Sequence, residues 1–254
     1  MRFVVMKSKS IKYAIVVILA VILLAINFGS GSSATVFFGY SPRKVPIYAV
    51  DTEEKRVAIT FDSAWGADKT LKILDILKEY NANATFFLVG FWVEDYPDMV
   101  RAIKEQGVEI GTHSNTHPDF AKLSKNDMKL ELTTSIELIK NITGDDVRLF
   151  RAPYGSYNNT IISTAEELNL TTIQWDVDTL DWKGLSGVEI CNRVVNKVKN
   201  GSIILCHNNS DHILDALPLV LDRLTNMGYK VGSVGDLIMK DNYYVDNLGI
   251  QRKK

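Results

Sequence analysis

The sequence predicts an α/β protein, a parallel sheet covered by helices, and three observations carry that expectation. After residue 50, short apolar runs alternate with longer segments, the pattern of strands joined by crossover helices. The longer segments carry their apolar residues at helical spacing. No low-complexity linker interrupts residues 51–254, so one domain is the simplest arrangement. Seven such units either close as a barrel or stay open, and the alternation alone does not choose.

The expected strands are RVAITF (56–61), ATFFLV (84–89), VEIGT (108–112), RLFRA (148–152), TTIQW (171–175), SIILC (202–206) and YKVGS (229–233). After the first, DKTLKILDILKEY sets Leu71, Leu74 and Leu77 on one helical face, with Lys72, Asp75 and Lys78 elsewhere. SKNDMKLELTTSIELIKNITG opens with Ser124 and Asp127 at capping-box spacing and ends at Gly144. SGVEICNRVVNKVKNG also ends at a glycine. DHILDALPLVLDRLTNMG contains Pro218, which predicts a kink or a late helix start.

The beginning of the chain differs from the rest. Arg2, Lys7, Lys9 and Lys12 lie in a basic stretch, residues 1–12, expected on the cytoplasmic side. YAIVVILAVILLAINF, residues 13–28, then reads as a signal segment or a membrane anchor, and the sequence leaves the two open. Residues 29–50 form a linker and lead-in, and residues 51–254 the folded domain. Either alternative places that domain outside the cytoplasm, with the membrane as a partner if the segment stays uncleaved.

Hydrophobic residues make up 46% of the 254-residue chain, and the formal net charge is −1. These values exclude a disordered chain and a nucleic-acid binder driven by bulk positive charge, so no nucleic-acid partner is expected. Cys191 and Cys206 are the only cysteines. Their spacing fits no metal site and fixes no disulfide; for Cys206, inside an apolar run, a buried free thiol is expected.

Chemistry on a parallel α/β sheet sits at the carboxyl ends of its strands. The first run ends at Asp62, the third at His113 and His117, the fourth at Arg151 with Tyr154 after it. The fifth leads to Asp178, Asp181 and Trp182, and the sixth to His207. One rim thus gathers a candidate base, an arginine, three of the four histidines and two further carboxylates. His113 and His117 are four residues apart; on a helical turn both imidazoles would face one metal ion of the zinc, cobalt or nickel kind. Arg151 is suited to holding Asp62 ionised. Asp181 or Asp178 is suited to orienting His207 and raising its pKa, with Trp182 and Leu205 as an apolar wall nearby. His212 is expected on the surface.

These stretches resemble the motifs of the polysaccharide deacetylases, the NodB-homology group of carbohydrate esterase family 4. TFDSAW is similar to the family's TFDDG, HSNTHP to H-S/T-x-x-H-P, RAPYG to R-x-P-Y/F-G, DTLDW to D-x-x-D-W, and LCH to L-x-H. The five motifs occur in order across roughly residues 55–240. The basic-apolar start and the TFD-x-x-WG variant look closest to the sporulation members of PdaB type. The resemblance implies a distorted (β/α)7 barrel of parallel strands. It implies metal-dependent hydrolysis of N-acetyl groups from amino sugars of an extracytoplasmic glycan, peptidoglycan or a chitin-like polymer. By the same resemblance, His113 and His117 bind a divalent metal, zinc being the expected one. Asp62 is then the general base and Arg151 positions it. His207 is the general acid, oriented by Asp181. The Tyr154 backbone N–H helps hold the oxyanion, and Pro153, Trp182 and Leu205 contact substrate.

One departure matters. Ser63 stands where the family carries its third metal ligand, an aspartate. A hydroxyl is a much weaker ligand than a carboxylate, so metal affinity is expected to fall unless a neighbour such as Asp68 replaces it. The glycine of the motif is also absent; Ala64 and Trp65 precede Gly66. The competing expectation is therefore a non-catalytic glycan-binding or scaffold protein with a degenerate metal site.

Overall fold

The structure, a computed structural model, describes Lys12, Tyr13, residues 15–22 and residues 42–254. The chain divides into two units between Pro42 and Arg43. In the first, the described residues up to Ile22 are helical and exposed. No helix among the described residues is long and apolar enough to cross a membrane. Much of the expected signal or anchor at 13–28 lies outside the described residues.

The second unit begins with β1 (Ala49–Val50) and β2 (Arg56–Ser63), then β3 (Thr85–Leu88), β4 (Glu109–Thr112), β5 (Leu149–Phe150) and β6 (Thr171–Thr172). β7 (Val177–Asp178), β8 (Ile203–His207), β9 (Lys230–Gly232), β10 (Tyr243–Val245) and β11 (Ile250–Lys253) follow. The main sheet runs β6-β5-β4-β3-β2-β8-β7, and every ladder in it is parallel. β9 pairs with the first residues of β2; Ala58 matches Gly232 there and Ile203 on β8, so the two neighbours use opposite edges. The sheet curls into the expected distorted barrel of parallel strands. Its end strands β6 and β7 have no ladder between them among the described residues. The lead-in segment meets that side instead: Ile47 bridges Ile173 and Ala49 bridges Ser202.

β2 is central, and its burial explains its composition. Val57 to Ser63 are all buried, so a strand covered on both faces reads as a continuous run rather than an alternation. Phe61, Phe86, Leu88, Phe150 and Ile204 carry the core that lies under the surrounding helices. Each such side chain contributes about 1.5–3 kcal/mol through burial.

The helix Lys125–Thr143 starts and stops as its sequence requires. The Ser124 hydroxyl accepts the Asp127 N–H at 3.2 Å, and Gly144 closes the helix at φ 75°, which glycine adopts without a Cβ penalty. The helix Thr70–Glu79 corrects the expected face: it buries Ile73, Leu74 and Leu77, while Leu71 is 49% exposed. The Ile73–Leu77 pair, four apart, sets the buried stripe and rotates Leu71 out of it. The helix Ile213–Asn226 begins five residues before Pro218, so the proline is not its start. Cys191 and Cys206 are both buried free thiols.

A second sheet, β1-β11-β10, was not expected from the sequence. β11 is largely polar, and its anchor is an amide rather than an apolar row. Gln251 is fully buried; its side chain accepts from the Met239 N–H and donates to the Met239 carbonyl, at 2.8 and 2.9 Å.

Candidate active site

The carboxyl ends of β2, β4, β5, β7 and β8 surround a cavity of about 610 Å³. Asp62, His113, His117, Tyr154, Asp178, Asp181, Trp182, Leu205 and His207 all line it, so the structure brings nearly the whole expected set together. Pro153 is buried and is not part of the lining. Asp68 is exposed and also outside the lining.

Asp62 is the penultimate residue of β2 and only 7% exposed. One carboxylate oxygen accepts from Arg151 at 2.7 Å. The guanidinium also donates to the Thr60 hydroxyl at 2.7 Å and to the Gln174 carbonyl at 3.1 Å, and it lies 4.2 Å from the centre of the Phe87 ring. Arg151 is itself fully buried. Burial alone would raise the Asp62 pKa, but Arg151, then His113 and His207, hold it below the usual carboxylate value. Removing one member of such a buried pair costs roughly 3–5 kcal/mol, because the other is left uncompensated.

His113 and His117 converge, but not on the expected helical turn. They lie in a loop after β4, where Ser114 and His117 adopt φ of 73° and 59°. Their ring centres are 4.9 Å apart. Glu131 holds the loop: its carboxylate accepts from the backbone N–H groups of Asn115 and Thr116 at 2.9 and 2.8 Å. His113 Nδ1 donates to the Arg151 carbonyl at 2.7 Å, which leaves Nε2 with its lone pair, 3.5 Å from an Asp62 oxygen. Burial lowers the His113 pKa and brings that of His117 down to about 4. Both rings are therefore neutral near pH 7. Two neutral imidazoles beside an ionised carboxylate, with a lone pair turned toward its oxygen, are the donor chemistry of a site for a cation such as zinc. The fit stops at two imidazoles: among the described residues no group of three His, Cys, Asp or Glu side chains is placed to hold a metal ion. The Ser63 hydroxyl is fully buried and has no hydrogen-bond partner.

His207 ends β8 and is held twice by Asp181. Its Nδ1 donates to one carboxylate oxygen and its backbone N–H to the other, both at 2.8 Å. Nε2 is the ring nitrogen left free for chemistry. Burial works against the imidazolium, yet the hydrogen bond and charge of Asp181, with Asp62 and Asp178, raise the His207 pKa above its ordinary value. Asp178 is turned to its own loop, where it accepts the Leu180 N–H at 2.8 Å. Of the two carboxylates the sequence offered, Asp181 is the one that orients the histidine.

Backbone strain gathers at this rim. Seven non-glycine residues among those described have positive φ. Asn81, Asn169, Asn242 and His117 are of types that tolerate it; Ser114, Tyr154 and Leu180 are not, and these three lie with His117 in the loops of the site.

Trp65 was not singled out by the residues alone, although it is part of the TFD-x-x-WG stretch. It lines the cavity and is 63% exposed. Gly66 beside it has φ 63°, and a Cβ there would lie 2.7 Å from the Asn209 amide. The Gly66 carbonyl accepts from Trp92 Nε1 at 2.8 Å and from the Asn208 amide at 2.9 Å, so this loop is tied at both sides.

Comparison with known proteins identifies the relatives of this chain. The family model for polysaccharide deacetylase matches residues 49–173. A peptidoglycan-N-acetylglucosamine deacetylase of Bacillus cereus is 36% identical over 176 residues, covering 68% of this chain and 64% of its own. A second protein of that name from the same organism is 32% identical over 196 residues, covering 75% of this chain and 92% of its own. The chain belongs to the polysaccharide deacetylase family. It spans 60%, 64% and 40% of the length of the first curated relatives it matches. Among solved structures, a CE4-family pseudoenzyme from Bacillus anthracis is 35% identical with a TM-score of 0.74, covering 78% of this chain and 69% of its own. A mutant of that pseudoenzyme is described as having restored enzymatic activity. The polysaccharide deacetylase model ends at residue 173, before Asp181 and His207; in this chain the fold carries those two to the same cavity.

Proposed function

We propose that the protein hydrolyses N-acetyl groups on amino sugars of an extracytoplasmic glycan, peptidoglycan being the substrate class that its relatives' names suggest. The carrying observation is that Asp62, held from behind by buried Arg151, and His207, held by Asp181, line the same cavity. A site that only binds sugar has no use for a base held ionised opposite a histidine whose pKa is raised by an orienting carboxylate. The resemblance to sporulation proteins of PdaB type supports a role in spore formation, and the apolar segment at 13–28 would keep the protein at the membrane or direct its export.

The reaction follows from these groups. Asp62 takes a proton from water, whose oxygen attacks the amide carbon. The Tyr154 backbone N–H stabilises the resulting oxyanion. His207 gives its proton to the amide nitrogen as the C–N bond breaks, releasing acetate and the free amino sugar. Trp182 and Leu205 supply the wall against the acetyl methyl. His113 and His117 would hold a divalent metal such as zinc, which when bound polarises the carbonyl and acidifies water.

A second reading, a glycan-binding protein without turnover, is favoured by one observation: among the described residues the two imidazoles have no third His, Cys, Asp or Glu placed with them to hold a metal ion. Acetate release by the full chain on peptidoglycan and on chitooligosaccharides, with and without added zinc or cobalt, separates the two. Metal-dependent acetate, lost in His113→Ala, supports the hydrolase. No acetate on any glycan, with no metal retained, supports the binding protein.

A further inference from the structure

We infer that Trp65 is a specificity-determining residue, a platform on which an uncharged amino-sugar ring stacks next to the ring whose amide enters the cavity. This inference rests on the glycan reading of the site. Four aromatic residues of the second unit are strongly exposed: Trp65, Tyr154, Trp182 and Tyr244. The first three line one cavity. Exposed aromatic side chains gathered at a cleft mark a recognition surface.

The three differ in what they offer. Lys183 Nζ lies 4.9 Å from the centre of the Trp182 ring, so that ring already carries a cation on its face. Trp65 has only inclined ring neighbours, His117 at 5.2 Å and 66° and Phe91 at 6.4 Å and 46°. Neither stacks on it, and an indole face is left open to solvent. The backbone that carries it is also pre-placed, because the neighbouring Gly66 carbonyl is held by Trp92 and Asn208 from two different segments. A rigid aromatic ring loses little entropy on binding. The apolar C–H face of a pyranose is the complement of such a ring.

The charge around the cavity narrows the ligand. Asp62, Asp178, Asp181 and Asp211 line it, and no lysine or arginine does. Asp62 and Asp181 are paired with Arg151 and His207, so a polyanionic glycan would meet the carboxylates of Asp178 and Asp211, and the stacked ring is a neutral one. Because Trp65 touches His117 at the edge of the site, it would meet a ring beside the reacting one. The demand is for an oligomer rather than a single sugar.

The test is affinity by calorimetry, using the full chain in an Asp62→Asn background so that glycan is not consumed. The probes are N-acetylglucosamine and its β-1,4-linked pentasaccharide. Trp65→Ala is expected to weaken pentasaccharide binding about tenfold and to shrink its advantage over the monosaccharide, while Trp65→Phe recovers most of the loss. Thermal midpoints alongside show whether each variant is folded. Pentasaccharide affinity equal in parent and Trp65→Ala overturns the inference and leaves the glycan reading standing, as does a proportional loss for both sugars. A folded parent that binds neither sugar overturns both. A parent that binds while the wild-type chain releases no acetate sinks the hydrolase alone and keeps Trp65 in its role.

Discussion

Asp62 on β2 and His207 on β8 are register partners in adjacent parallel strands. Matching positions on neighbouring strands direct their side chains to the same face, so the base and the acid are placed by the sheet itself rather than by loops. Each is then fixed from its far side, Asp62 by Arg151 and His207 by Asp181. Asp62→Asn keeps an oxygen for Arg151 but removes the base. Expected is a fall in kcat of roughly 10²–10⁴-fold, with metal content nearly unchanged. Steady-state acetate release and metal analysis of the purified variant check this; loss of metal together with activity would make Asp62 a ligand instead.

The Asp181–His207 pair sets the alkaline limb of the pH profile. His207 must be protonated to serve the leaving amine. Its pKa is raised, so the requirement is met at lower pH and fails as pH rises through the raised value. The sign is the same for stability: the pair's contribution is present below the unfolded histidine pKa of about 6.5 and is lost as pH rises through the folded one. Asp181→Asn removes the charge that opposes burial. The alkaline limb of kcat/KM should then move to lower pH, with kcat reduced. An unmoved limb in a folded variant would mean that another group supplies the proton.

Much of this was legible in the sequence, for identifiable reasons. The seven expected runs correspond to β2, β3, β4, β5, β6, β8 and β9, and β3 and β8 read most plainly because strands buried on both faces are nearly continuous apolar runs. β7 was missed: two residues in a polar stretch, Val177 and Asp178, leave no run to read. β10 and β11 were missed because Gln251 does the work of an apolar anchor. The histidine spacing was read correctly as convergent but for the wrong geometry, since left-handed turns at Ser114 and His117 bring the rings together. Local spacing cannot reveal that, nor which of Asp178 and Asp181 turns toward His207.

Ser63 is where sequence and structure press hardest on function. Its side chain is fully buried, and its hydroxyl has no partner. Ser63→Asp would place a carboxylate in that space. Without metal the charge is desolvated and the thermal midpoint should fall. With a third ligand beside His113 and His117, zinc should restore more than it does in the wild-type chain. At a hundredfold excess over Kd, binding stabilises by about 2.7 kcal/mol, or about 5–10 °C for a domain of this size. Thermal melts of both proteins, with zinc and with chelator, give the answer. A larger zinc shift in the variant, accompanied by increased acetate release, identifies position 63 as the missing ligand. Equal shifts would mean that strand alternation keeps residue 63 turned away from the face that Asp62 shares with the site, and that the two imidazoles must recruit their third donor elsewhere.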